Sequence, residues 1–226
     1  PRDYMVSLLE AAHESVKEFG FAGIRCSTRP DAVGEEVLHL LKKYGVTAVE
    51  LGAQSMDDEV LSLNRRGHTS GQTEAAAQRV KAFGFQLGLQ MMTGLYGDTD
   101  GRALETAERM IALKPSTVRI YPTVVLQGTY LAELYARGEY TPQTLEEAVT
   151  LCALLLPLFE DAGIKVIRMG LNAQTAVEAQ KLAGPYHPAF RELVQSRVFL
   201  EKLLSCLEKP GRYVVRVHPQ SISVAL

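Results

Sequence analysis

Cysteine is scarce in this chain: three cysteines occur in 226 residues, at Cys26, Cys152 and Cys206. Thiols so far apart in sequence provide neither a disulfide framework nor the closely spaced thiolates that hold iron-sulfur clusters. Cys152 stands in an apolar stretch, and we predict that both it and Cys206 are small core residues. The cysteines therefore argue against a disulfide-stapled fold and against a cluster site built from these residues alone.

Long hydrophobic runs and an excess of one charge are also missing. No apolar run approaches the roughly 18 residues that span a bilayer, and the first four residues begin no secretory signal. We therefore expect a cytoplasmic protein that does not enter a membrane. The formal net charge of -2 gives no general attraction for nucleic acid, so RNA binding would require a local basic patch.

Signature motifs of several enzyme classes are absent too. The chain has no Gly-x4-Gly-Lys-Ser/Thr phosphate loop, no Gly-x-Gly-x2-Gly dinucleotide motif, no His-Glu-x2-His and no Gly-x-Ser-x-Gly. The sequence thus points away from P-loop nucleotide hydrolases, dinucleotide-dependent dehydrogenases, zinc proteases and serine hydrolases. No metal ligand is predicted.

What the chain does contain is a repeated alternation of short apolar strands with longer amphipathic helices. This pattern is typical of βαβ units around a parallel sheet, and 46% hydrophobic residues suffice for one sizeable core. The predicted strands span residues 22–27, 48–53, 86–93, 117–123 and 165–171. The predicted helices include residues 4–19, residues 142–162 with a Thr141 cap, and residues 188–207, while residues 212–217 are β-like.

The predicted organisation is a barrel core over residues 1–171, with residues 172–226 as a helical and β extension packed on it. The chain starts at Pro1 and opens directly in a helix, so we expect that a strand and a loop precede it. The fold class is then α/β, a partial TIM-like barrel that lacks its first strands. Its first strand would have an open outer edge. We expect this edge to pair with a second copy in a homodimer or to aggregate, or else to be covered by the helix at residues 4–19 or by residues 212–217.

Alternate residues of each strand face the interior in such a barrel, and here one alternation is polar. The interior residues are Arg25, Ser27, Arg29, Glu50, Gly52, Gln54, Gly88, Gln90, Met92, Arg119, Tyr121, Thr123, Val166, Arg168 and Gly170. The opposite alternation, which includes Ile167, is mostly apolar. A buried unpaired charge costs several kcal/mol. The interior therefore needs either a structural network, with Glu50 paired to Arg25 or Arg168, or an anionic guest.

One strand ends in a glutamine and leads through a short helix to two arginines. The segment Glu50-Leu-Gly-Ala-Gln54 is followed by Arg65 and Arg66. With the motifs at residues 24–30, 90–95, 118–123 and 184–188, this resembles the radical S-adenosylmethionine (SAM) domain of the elongator catalytic subunit. The resemblance is closest to short bacterial relatives without the acetyltransferase domain, and it extends over residues 8–198.

This resemblance implies where a cofactor binds. Gln54, at the end of its strand, would hydrogen-bond the ribose hydroxyls of SAM, and the guanidinium of Arg66 would bind the SAM carboxylate. Ser27 and Gln90 are further candidates for ribose or methionine contacts. No catalytic residue is assigned. The candidates for contact with substrate are Arg25, Glu50, Arg119, Tyr121 and Arg168.

The family reaction implied by the resemblance begins with a reduced [4Fe-4S] cluster that cleaves SAM to a 5′-deoxyadenosyl radical. Relatives carry the cluster on a Cys-x3-Cys-x2-Cys segment, which these residues lack, so we expect a radical SAM enzyme whose present chain is inactive alone. RNA modification is the activity that the elongator likeness suggests, although too few residues follow Leu171 for an acetyltransferase domain.

Three alternatives remain open from the sequence. The first is a porphyrinogen-oxidase-like radical SAM enzyme that acts on a small anionic substrate, which an arginine-rich interior would suit. The second is a non-catalytic barrel that serves as a binding module or scaffold. The third is a barrel lyase without radical chemistry.

Overall fold

Helices and strands alternate along the chain. The computed structural model describes residues 2–172, 175–207 and 211–225. The helices are α1 (Arg2–Phe19), α2 (Glu35–Lys43), α3 (Asp58–Leu63), α4 (Ser70–Ala82), α5 (Asp100–Ala112), α6 (Tyr130–Ala136), α7 (Leu145–Asp161), α8 (Thr175–Gln180), α9 (Phe190–Ser205) and α10 (Ile222–Ala225). The strands are β1 (Ile24–Thr28), β2 (Val46–Gln54), β3 (Gln86–Thr93), β4 (Thr117–Pro122), β5 (Val125–Leu126), β6 (Lys165–Met169) and β7 (Lys181–Ala183).

One parallel sheet of five strands organises the described residues, in the order β1-β2-β3-β4-β6. The connections between its neighbouring strands carry helices, as parallel pairing requires. Helices α2, α4, α5 and α7 cover one face, where their apolar side chains join those of the strands in the main core. The opposite face, called the inner face below, is polar. The predicted α/β class and parallel sheet are confirmed.

Strand β1 lies at one edge of this sheet. In the part of the chain that the structure describes, it pairs with β2 alone, as expected for the first strand of the sheet. Helix α1 contacts β1, and its Leu9 belongs to the main core. Pairing of this edge with a second copy stays a prediction.

The predicted alternation fails in β6. Its register against β4 shifts after Val166, so that Val166 pairs with Val118 and Arg168 pairs with Arg119, leaving Ile167 between them. The side chain of Val166 is buried in the main core, not inside the barrel. A bulge adds one residue to one strand and thereby exchanges the two faces, which a strict period of two does not anticipate.

Other predictions about local structure also need correction. Helix α7 is capped by Thr144, whose side chain accepts from the Glu147 N–H while the Glu147 side chain accepts in return, so the Thr141 cap was wrong. Residues 212–217 form neither strand nor helix, and Cys206 is exposed rather than part of the core. Cys152 is fully buried, as predicted.

A short antiparallel pair, β5 with β7, was not predicted. Together with α6 it forms a second small apolar cluster around Val125, Leu134 and Tyr140. The ring of Tyr130 in this cluster lies 3.6 Å from the guanidinium carbon of Arg65, which joins the cluster to the loop after α3. Strands of two or three residues are too short to show an alternation in sequence.

As for membranes, the helices that the structure describes include none with the length and apolar character of a bilayer span.

Candidate functional site

Glu50 is the buried carboxylate of the inner face. Strand pairing places it opposite Ser27, whose hydroxyl donates to Glu50 Oε1 at 3.0 Å. Its Oε2 lies 2.8 Å from Arg119 Nε and 3.9 Å from Arg25 Nη1. The Arg119 N–H does not point at the carboxylate, so the shorter contact is an ion pair without a well-formed hydrogen bond. Since 2% of the Glu50 side chain is exposed, its charge depends on these partners.

Gly88 lies in β3, between the strand of Glu50 and the strand of Arg119, and leaves room for this network. A Cβ at position 88 would lie 3.2 Å from Arg25 Nη1 and 3.3 Å from Glu50 Cβ. Through the space that the glycine leaves, Arg25 reaches across β2 and β3 and donates to Thr117 Oγ1 at 3.0 Å. A side chain on β3 at this point would separate the charged groups.

Arg168 shares the inner face but lies outside the Glu50 network. Its guanidinium donates to the side-chain oxygen of Asn172, a neutral partner, and the described residues provide no ion pair for it. The predicted ion pair of Glu50 with Arg168 was therefore wrong, whereas the predicted ion pair with Arg25 is present. Tyr121 accepts a hydrogen bond from Arg119 Nη1 at 3.4 Å.

Gln54 ends β2 in an unusual backbone conformation. Its φ of 66° lies in the left-handed region, which residues other than glycine seldom adopt and which is often found at ligand sites. The residue is 6% exposed, and its Oε1 has no hydrogen-bond partner in the described residues. Buried amide oxygens are nearly always satisfied. An unsatisfied one at a strand end marks a place where a ligand can donate a hydrogen bond.

Gly52 leaves the space in which the Gln54 amide lies. A Cβ at position 52 would lie 2.8 Å from Gln54 Nε2. The Gly-x-Gln spacing seen in the sequence thus has a steric reason, because any larger residue displaces the amide.

Arg66 lies in the loop between α3 and α4. Burial and the nearby positive charge of Arg29 lower its pKa, and its Nε is buried without a partner among the described residues. Arg29 itself is paired with Asp31 at 2.7 Å. The imidazole of His68 lies 3.0 Å from the carbonyl oxygen of Ala53 and ties this loop to the end of β2. A half-buried guanidinium, for which the described residues provide no carboxylate partner, therefore belongs to a loop tied to the strand that ends at Gln54.

The remaining two cofactor candidates differ from each other. Ser27 already donates its hydroxyl hydrogen to Glu50, so a ligand would meet only its acceptor side. Gln90 lies opposite Arg119 in the β3–β4 pairing and is partly exposed on the inner face. Thr123, whose buried hydroxyl lacks a described partner, was predicted to face the interior but was not selected as a cofactor or substrate contact. Its alternation with Arg119 and Tyr121 was the available signal.

Asp98 lies in the turn after β3, and the pKa of its carboxyl is shifted towards neutral pH. Burial raises the pKa of its carboxyl from 3.8 to about 6, although the backbone N–H groups of Thr99 and Gly94 donate to it at 2.9 and 3.2 Å. It lines a cavity of about 310 Å³ with Tyr140 and Gln143. Burial also raises the pKa of Tyr140 to about 12.

We expect this carboxyl to make stability depend on pH. A raised native pKa means that the folded state binds more protons than the unfolded state between pH 3.8 and about 6. The free energy of unfolding should then fall as the pH rises through that window, by at most about 3 kcal/mol, and level off above it. The free energy of unfolding, measured in urea at several pH values across this range, should depend less steeply on pH in Asp98→Asn than in the wild type. The nearby Asp100→Asn should keep the wild-type pH dependence. The same pH dependence of the free energy of unfolding in all three proteins would contradict a raised pKa at Asp98.

The cysteines do not fit an iron-sulfur cluster. Cys26 lies in β1, Cys152 is inside α7 and Cys206 follows α9, and burial raises the pKa of Cys26 and brings that of Cys152 to about 12. A cluster requires several converging thiolates. Among the described residues, no group of three or more His, Cys, Asp or Glu side chains is arranged to hold a metal ion.

Comparison with protein families identifies the class. The description "Radical SAM superfamily" matches residues 2–110, and "Radical_SAM C-terminal domain" matches residues 115–199. The two matches together cover most of the chain and include every candidate residue named above. The chain belongs to the radical SAM superfamily, whose members bind SAM and a [4Fe-4S] cluster.

Within that superfamily, the chain is similar to elongator catalytic proteins. It is 38% identical to the tRNA uridine(34) acetyltransferase of Methanocaldococcus jannaschii over 125 residues, which are 54% of this chain and 23% of that protein. It is 32% identical to Elongator complex protein 3 of Mus musculus over 176 residues, covering 70% of this chain and 32% of that protein. The chain therefore spans a quarter to a third of the length of these relatives.

Solved structures agree with the sequence comparison. The archaeal Methanocaldococcus infernus Elp3 with N-terminus deletion (1-46) superposes with a TM-score of 0.71 at 28% identity, covering 80% of this chain and 42% of that chain. Coproporphyrinogen III oxidase (HemN) from Escherichia coli, a radical SAM enzyme, gives a TM-score of 0.54 at 16% identity and shows the shared fold alone. The TIM-barrel-like architecture is thereby confirmed.

Proposed function

We propose that this chain is the SAM-binding core of an elongator-like radical SAM enzyme, with Gln54 and Arg66 as its main cofactor contacts. One observation supports this most: a buried amide oxygen and a half-buried guanidinium, both without described partners, belong to segments joined by the His68 to Ala53 contact. SAM carries a carboxylate for the guanidinium and ribose hydroxyls for the amide. Ser27 and Gln90 would supply weaker polar contacts.

In this family, SAM that is bound and reduced by one electron from the [4Fe-4S] cluster would supply a 5′-deoxyadenosyl radical, with methionine as the leaving group, to take hydrogen from a substrate. The chain's own part is to hold the methionine carboxylate at Arg66 and the ribose at Gln54. Its inner face then presents Arg25, Glu50, Arg119, Tyr121 and Arg168 to the substrate. RNA is the substrate class that the similarity to elongator proteins favours. A cytoplasmic location and an extension formed by residues 172–226 complete the proposal.

Selective loss of SAM binding in Gly52→Ala tests the cofactor site. The new methyl group would displace the end of the Gln54 side chain, which is flexible, so the free energy of unfolding should change by less than about 1 kcal/mol. SAM affinity should nevertheless fall by about 3- to 10-fold through loss of the ribose hydrogen bond. Calorimetric titration of SAM into the chain measures this.

The matched control is Gly101→Ala, in the first turn of α5, where a Cβ meets only Thr99 Oγ1 at 3.9 Å. This variant should bind SAM as the wild type does. Equal affinity in all three proteins would argue against the Gln54 contact, and no binding of SAM by the wild type would favour the scaffold alternative.

We also propose that the chain by itself forms no cluster and is inactive in radical chemistry. Anaerobic reconstitution with iron and sulfide should leave far fewer than about four iron atoms per chain. The triple variant in which Cys26, Cys152 and Cys206 are replaced by serine should show the same background. Near-stoichiometric iron with visible charge-transfer absorbance, lost in the triple variant, would show that the proposal is wrong.

A further inference from the structure

Two arginines face each other across the inner face. Arg119 of β4 and Arg168 of β6 are direct partners in the parallel register, because the bulge at Ile167 turns Arg168 to the side of Arg119. Neighbouring strands are about 4.8 Å apart, and like charges placed opposite each other on one face destabilise a sheet. The pairing is therefore unfavourable unless something negative lies between the two side chains.

The described part of the inner face has too few carboxylates to neutralise its arginines. In the described part of the inner face, Glu50 is the carboxylate, and it is shared by Arg119 at 2.8 Å and Arg25 at 3.9 Å. Within residues 2–172, 175–207 and 211–225, the partner of Arg168 is the neutral Asn172 amide. Three guanidinium groups thus meet one carboxylate, which leaves an excess of two positive charges.

The donors are also accessible. The Arg119 side chain is 28% exposed on the inner face. Arg168 lines an open cavity of about 450 Å³ beside the first turn of α9, which Arg119 and Tyr121 do not line. Glu192 borders this cavity, but it forms no ion pair with Arg168 within 4.0 Å in the described structure. The hydroxyl of Tyr121 accepts from Arg119, so its own hydrogen is free to donate to a guest.

We propose that Arg119 and Arg168 form an oxyanion subsite, with Tyr121 beside it, which binds a phosphate or carboxylate group of the substrate. The two guanidinium forks offer several N–H donors to one planar or tetrahedral anion, a geometry that lysine could not reproduce. Glu50 is a positioning residue here, because its ion pair holds Arg119 in place. Assigning the anion to a substrate rests on the proposed function, whereas anion binding itself does not.

The experiment measures thermal unfolding of the full chain, without SAM, in potassium phosphate, potassium acetate and potassium chloride at equal ionic strength and pH. We expect phosphate or acetate to raise the melting temperature above its value in chloride, and Arg168→Gln to abolish most of that gain. Direct titration should show at least about 10-fold weaker anion binding in the variant. The arginine Nε–H signals of Arg119 and Arg168 should shift in NMR spectra of the wild type.

Arg197→Gln is the matched control, since Arg197 is a surface arginine of α9 paired with Glu146. It should keep the full gain from the anion. Arg168→Lys, which retains the charge without the fork, should recover only part of the binding and guards against misfolding of the glutamine variant. The larger of the phosphate and acetate gains identifies the anion class.

An equal gain in the wild type and both Arg168 variants would overturn the subsite, as would no gain over chloride in the wild type. The same samples are then titrated with SAM. Anion binding without SAM binding would contradict the proposed function and support the oxyanion subsite. SAM binding without anion binding would support the proposed function and contradict the subsite.

Discussion

Replacing Glu50 by alanine is expected to lower the free energy of unfolding by about 3 kcal/mol. The substitution leaves Arg25 and Arg119 close together without their shared carboxylate, and it removes the acceptor of the Ser27 hydroxyl. Breaking a buried ion pair from one side typically costs about 3 to 5 kcal/mol. The lower end applies here because the two arginine side chains are 31% and 28% exposed and regain some hydration.

Urea unfolding at neutral pH measures this loss. The matched control is Glu139→Ala, which removes an exposed carboxylate paired with Arg137 and should leave stability nearly unchanged, because water already screens that pair. The double variant Glu50→Ala with Arg119→Met should be more stable than Glu50→Ala alone, because one of the uncompensated charges is gone. A loss in Glu50→Ala no larger than in Glu139→Ala would mean that the network contributes nothing.

The second large effect concerns cofactor affinity: Arg66→Ala should weaken SAM binding by about 10- to 150-fold. A charge-assisted hydrogen bond to a carboxylate contributes about 1.5 to 3 kcal/mol, and a factor of ten corresponds to 1.4 kcal/mol. Desolvation already lowers the pKa of Arg66, and the described residues provide no anion to compensate the charge of this half-buried guanidinium. Its removal should therefore leave the free energy of unfolding unchanged or slightly raised.

Arg65→Ala is the control for this variant. Arg65 is the adjacent residue with the same charge, but it is exposed and stacks on Tyr130. Calorimetric titration should show SAM affinity within about threefold of the wild type for Arg65→Ala, since only remote charge screening changes. Equal losses in both variants would indicate that overall charge, and not a specific carboxylate contact, governs binding.

Several parts of this molecule could be predicted from local patterns. The alternation of apolar strands and amphipathic helices located β1 to β4 and β6, because a sheet covered on one face by helices requires apolar residues at every second position. The polar alternation of Arg25, Glu50 and Arg119 located the inner face for the same reason. The Gly-x-Gln spacing located the end of β2.

Irregular positions escaped this reasoning. The bulge at Ile167 exchanged the faces of β6, and the pair β5 and β7 was too short for any periodicity. The cap of α7 at Thr144 was missed in favour of Thr141 because both threonines are followed by residues that suit a first helical turn. Reciprocal bonding with Glu147 decides between them.

By itself, the sequence determined the fold class, the polar inner face and the likeness to radical SAM proteins, since each depends on the order and spacing of residues along single strands and loops. Only the tertiary structure decided which charges meet. Glu50 selects Arg119 and Arg25 because Gly88 leaves room between the strands, and Arg168 is left opposite Arg119 because of a one-residue bulge. Contacts across three or four strands depend on register and side-chain volume together, and neither can be read from one strand alone.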